Sequence, residues 1–77
     1  MDGYGVEVDG LGCATAYGNG WHRDLGRIEN DHILGWQAVD LHGRQLLKVR
    51  VNLRDDAVRA LVRAAGLQNG YTTRWAR

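Results

Sequence analysis

Apolar and polar residues alternate on both sides of His42-Gly43 in the stretch HILGWQAVDLHGRQLLKVRVNL, and a period of two marks a half-buried strand. Read as a two-residue turn, His42-Gly43 sets a register in which Ala38 faces Leu47, Trp36 faces Val49 and Leu34 faces Val51. The other face then pairs Gln37 with Lys48, Gly35 with Arg50 and Ile33 with Asn52. A slip of one residue would mix the two sets, so the pattern predicts a hairpin over about residues 32–52 with Trp36 in the core.

The period then changes. In NLRDDAVRALVRAAGL, Val58, Leu61, Val62 and Ala65 fall at helical spacing, which predicts a helix over about 53–65. Asn52 is the candidate cap, and Asp55 and Asp56 sit where the helix dipole favours acids. Gly66 suits the left-handed residue that ends a helix, with Leu67 folding back on Val62 in a Schellman-type closure. Arg59 and Arg63 share the polar face, and Asp55 lies four residues before Arg59 to form a pair.

The opening stretch YGVEVDGLGCATAYGNG reads as a first hairpin over about 4–17. With Asp9-Gly10 as its turn, Val8 opposes Leu11, Val6 opposes Cys13 and Tyr4 opposes Thr15. Gly18-Asn19-Gly20 is a further reversal. The segment 18–31 stays ambiguous: Trp21, Leu25 and Ile28 have helical spacing, Gly26 weakens a helix, and a strand or irregular loop fits as well. The tail, 66–77, carries an Asn69-Gly70 turn and then Tyr71, Thr73 and Trp75 at strand spacing, as an edge strand or a docked arm. Together these elements predict an α+β fold: a small antiparallel sheet of two or more hairpins with one helix, from the C-terminal half, on one face.

With 77 residues the chain is one domain, and its 44% apolar and 25% charged content is that of an ordinary globular protein. No apolar run reaches the length of a membrane span, so no membrane association is expected. The N-terminus carries an acid and no following apolar region, and Cys13 is the single cysteine, which together place the protein in the cytoplasm of a cell. Nine arginines against one lysine, with many Gly and Ala, suggest a GC-rich bacterium or its phage. Charge is divided along the chain: residues 1–40 hold seven acids and two bases, a net of −5, and residues 41–77 hold eight bases and two acids, a net of +6. Such a split has three readings: pairing of the two halves, self-association as a homodimer, or a basic face for an acidic partner.

Chemical motifs are sparse. The glycines of the first stretch follow neither phosphate-loop spacing, and no helix follows them, so they are read as turn residues. Cys13, His22, His32 and His42 lack the spacing of a metal site, and Cys13 opposite Val6 is expected to be a small buried thiol. We therefore expect no metal, no cofactor, no catalytic residue and no enzymatic activity. The remaining candidates are Lys48, Arg50, Arg59, Arg63, Arg74 and Trp75, because arginine and tryptophan anchor protein interfaces and also track nucleic-acid backbones. A protein-binding module is the leading expectation, with nucleic-acid binding as the alternative. In size and in lack of catalytic motifs the chain is similar to small phage-encoded inhibitors, anti-CRISPR proteins among them, that occlude a surface on a larger complex.

Overall fold

The structure, a computed structural model, describes residues 3–68 and 70–76. The elements follow in the order β1 (Tyr4–Val8), β2 (Cys13–Gly18), β3 (Trp21–Asp31), β4 (Gly35–Val39), α1 (Arg54–Ala64) and β5 (Tyr71–Trp75). They build one sheet in the order β4-β3-β2-β1-β5 with the helix on one face. The α+β class holds, and the sheet is mixed rather than purely antiparallel. β1 to β4 form an antiparallel meander, and α1 then carries the chain across the sheet so that β5 lies parallel to β1. A parallel pair needs such a crossover. Among the described residues no helix is long and apolar enough to cross a membrane.

Two turns repeat one construction. In Val8-Asp9-Gly10-Leu11-Gly12 and in Val39-Asp40-Leu41-His42-Gly43, the aspartate accepts two backbone N–H bonds through its Oδ1. Leu11 and Cys13 donate to Asp9 at 2.8 and 3.0 Å, and His42 and Arg44 donate to Asp40 at 2.9 Å each. Gly12 and Gly43 take positive φ, 87° and 82°, so each loop has three residues instead of two. The consequence is a correction to both hairpins. In the first hairpin the loop is residues 10–12, one residue longer and one residue later than expected, so Val6 faces Ala16 and Val8 faces Ala14, three residues from the expected register. An odd shift turns β2 over, so Ala14 and Ala16 point inward and Cys13 is exposed.

The second hairpin changes more. Its first strand, β4, pairs along its length with β3, and the returning chain meets its far edge only at bridges Val39↔Gln45 and Trp36↔Val51. Trp36 is half-buried against the core as expected, but its partner is Val51, and Val49 is 77% exposed. The chain between the bridges bows outward because a side chain takes the place of a strand. Gln37, only 4% exposed, accepts the Ala38 and Leu47 N–H groups on its Oε1, and its Nε2 donates to the Leu47 carbonyl, each at 3.0 Å.

The ambiguous segment is a single strand, β3. Its pairing with β2 slips between Ala14 and Thr15, which leaves Leu25 as an extra residue beside Gly26 at φ 126°. Inward parity therefore changes at this bulge: Leu25 and Ile28 both reach the core three residues apart, a spacing that imitates a helix. A Cβ on Gly26 would lie 2.2 Å from the Val39 carbonyl oxygen, so glycine is what lets β3 and β4 close here.

The helix presents Ala57, Val58, Leu61 and Val62 to Val6, Val8, Ala14, Ala16, Leu25, Ile28 and Ala38 of the sheet. Full burial of a Leu or Val side chain contributes about 1.5–3 kcal/mol, and these few contacts form nearly the whole core. The closing motif is as expected, with Gly66 N–H donating to Arg63 at 3.0 Å and Leu67 N–H to Val62 at 3.1 Å. The opening is not: the residue before the helix is Leu53, without a side-chain cap, so Asn52 does not cap it.

Candidate functional site

The sheet ends in two strands, and they are finished differently. At β5, Gly70 accepts from Tyr4 N–H at 3.3 Å and Ala76 N–H donates to Val8 at 2.8 Å, so even-numbered residues face β1. Backbone groups alternate along a strand, and the N–H and C=O of Tyr71, Thr73 and Trp75 therefore point to the other side. Among the described residues no strand pairs with β5 on that side. The tail is thus an edge strand, docked through Trp75 on the core; Asn69, of the expected turn, lies outside the described residues.

Beside this edge runs a cleft of about 620 Å³. It exists because α1 packs over β3 and β4 and leaves the inner side of β5 uncovered. Tyr71, Thr73 and Trp75 form its floor, and Asp55, Arg59 and Arg63, one helix turn apart in succession, form its wall. The Arg54 guanidinium lies 3.9 Å above the Trp75 ring and closes one end. At the other end Tyr4 packs against Tyr71 and Trp21, with ring centroids 5.8 and 5.9 Å apart, and its hydroxyl donates to the Gln68 carbonyl. Burial, reinforced by Tyr71, pushes the Tyr4 hydroxyl pKa up. Arg59 contacts Asp56 at 3.4 Å, not Asp55 as expected, and both side chains are about half exposed, so the pair holds Arg59 only weakly.

The sequence candidates are divided by this geometry. Arg59, Arg63 and Trp75 come together in the cleft. Arg74 is exposed on the outer face, opposite Glu7 in register. Lys48 is exposed in the excursion beside β4, and Arg50 there donates to the Gly35 carbonyl at 3.1 Å, a role in holding the loop. Sequence reasoning passed over Arg54. A base in the first helical turn opposes the helix dipole, and that mismatch was the available signal for an outside partner, here Trp75.

A second feature occupies one end of the molecule. The β1–β2 and β3–β4 turns, the end of β5 and the start of α1 all lie there, since β5 runs parallel to β1 and Arg54 sits on Trp75. Leu11 and Ile33 are 85% and 92% exposed in those turns, joined by exposed Leu34 and Leu53 and by Val49 on the neighbouring excursion. A groove linking Leu11, Trp36, Arg54 and Trp75 connects this apolar end to the cleft.

The shifted carboxylates belong to turns. Asp31 is held below the ordinary range by the Leu34 and Ile33 amides, and Asp40 by the Arg44 amide and then that of His42. Among the described residues no group of three or more His, Cys, Asp or Glu is placed to hold a metal ion. Comparison of the chain with protein-family models, with curated proteins and with solved structures gives no match in any of the three.

Proposed function

We propose that this protein is a small non-enzymatic binding module that acts in a bacterial cytoplasm by covering a surface on a larger protein complex, in the manner of a phage-encoded or mobile-element inhibitor of the anti-CRISPR type. The observation that carries this reading is the apolar end. Single exposed aliphatics are ordinary, but Leu11, Ile33, Leu34 and Leu53 are all exposed in the turns and helix start at this one end, with Val49 exposed on the neighbouring excursion, and such a concentration of apolar residues suits an interface. Nucleic acid has little use for such aliphatics, and the Trp75 face that would stack on a base is covered by Arg54.

The test is affinity capture from lysate of a GC-rich bacterium, with and without nuclease treatment, using the native chain and the L11D/L53D variant in parallel. Both positions are exposed, so the variant keeps its melting curve. A protein retained by the native chain and lost with the variant is the expected result. Retention that disappears on nuclease treatment and falls steeply with salt would assign a nucleic-acid partner instead.

A further inference from the structure

An exposed strand edge is a template for another chain, and natural proteins blunt it with cover, bulges, proline or charge. β5 has no cover, bulge or proline on its open side among the described residues: its sequence, Tyr-Thr-Thr-Arg-Trp, is rich in strand-favouring residues, its one charge, Arg74, lies on the outer face, and it ends the sheet. On the helix side it is flanked by Asp55, Arg59 and Arg63 of the cleft wall and by Arg54 over the Trp75 ring. We propose that the open edge of β5 captures an extended acidic segment of another protein as a sixth strand, with Arg59 and Arg63 receiving carboxylates at alternate positions of that segment.

Spacing supports this occupant. Residues four apart on a helix are about 6 Å apart along its axis, and residues two apart on a strand about 6.7 Å. α1 runs antiparallel to β5, with Arg54 over Trp75 at one end and Gln68 beside Tyr4 and Tyr71 at the other. Asp55, Arg59 and Arg63 therefore step along the cleft nearly in phase with Trp75, Thr73 and Tyr71. A strand added outside β5 places every second side chain on the helix side, in phase with the same ladder. The backbone of Tyr71, Thr73 and Trp75 supplies affinity for any extended segment, and the arginines select acidic ones. A second copy of this chain fits less well, because pairing β5 with itself about a two-fold axis turns both sets of Arg59 and Arg63 toward the shared seam, where like charges oppose one another. The proposal concerns a surface other than the apolar end, so each reading can fail while the other stands.

The experiment is fluorescence anisotropy on the full chain with a labelled, end-capped peptide about nine residues long that alternates threonine and glutamate. Two further versions carry N-methyl groups on every threonine or on every glutamate nitrogen, and a threonine–lysine peptide is the charge control. Saturable binding of the first peptide is expected, lost with one methylated version and kept with the other, since only alternate amides of an added strand face β5. Loss with methylated glutamates marks antiparallel addition, and loss with methylated threonines marks parallel addition. R59E/R63E should weaken binding about tenfold or more with an unchanged melting curve. The proposal is overturned if the acidic peptide does not bind, if both methylated versions bind alike, if the lysine peptide binds as well, or if an oligothymidylate displaces the peptide at equal concentration. It is also overturned if sedimentation shows a stable dimer that excludes the peptide, which would make a second copy the occupant.

Discussion

The two outer strands of this sheet present the same kind of backbone to their surroundings, yet one is covered and the other open. Along β4 every edge-facing amide has a partner: Trp36 N–H donates to Val51 at 2.7 Å, Ala38 N–H to the Gln37 side chain at 3.0 Å, and Asp40 N–H to Arg44 at 3.0 Å. The cover is not a strand. It is a bowed loop held by two bridges, the Gln37 amide and Arg50 on the Gly35 carbonyl. At β5 the equivalent groups of Tyr71, Thr73 and Trp75 have no partner among the described residues, and arginines stand beside them. The acidic segment proposed above takes the edge that has no cover among the described residues.

The contrast can be broken from the covered side first. Gly26→Ala should give the largest effect, about 4 kcal/mol or more of lost stability by denaturant titration, because the new methyl meets the Val39 carbonyl at a φ that side chains rarely adopt. A stable G26A chain would mean that β3 and β4 are not so closely joined. Next comes a pair of prolines within β5. T72P removes an amide turned toward β1 and should cost about 3 kcal/mol, whereas T73P removes one turned to the open side and should cost about 1. Equal costs would show that the two sides of β5 are equally engaged. Gln37→Ala should cost about 2 kcal/mol, by leaving the Leu47 N–H and C=O and the Ala38 N–H without their partner. The smallest effect is at acid pH. The Asp31 and Asp40 carboxyls titrate below the ordinary 3.8 in the folded chain, so the unfolded chain takes up protons first. Their stabilisation is complete above that value and is lost as pH falls through it and below, a dependence that D31N/D40N should flatten in acid titrations of the melting temperature.

How much of this was legible in the sequence depends on where the signal was local. The helix stripe of Val58, Leu61 and Val62 and the Gly66 closure were, because both are set by near neighbours in the chain. The first hairpin was legible as a region and wrong in register, while the second has only one of its two expected strands, β4, which pairs with β3; in both turns an aspartate lengthened the loop from two residues to three. The repeated Val-Asp-x-x-Gly was the visible clue. β3 was obscured by its bulge, which turned a period of two into a spacing of three at Leu25 and Ile28. Gln37 as a substitute strand partner is a tertiary event with no local trace. The meeting of Arg59, Arg63 and Trp75 needed β5 to be parallel to β1, which spacing within the tail cannot reveal.

Amide hydrogen exchange, followed residue by residue by NMR, tests the contrast between the edges most directly. In β5, Thr72, Arg74 and Ala76 should be protected while Tyr71, Thr73 and Trp75 exchange fast, and in β4 the edge-facing amides of Trp36 and Ala38 should be as protected as those of Gln37 and Val39. Uniform protection along β5 in the free protein, or fast exchange at Trp36 and Ala38, would contradict the account.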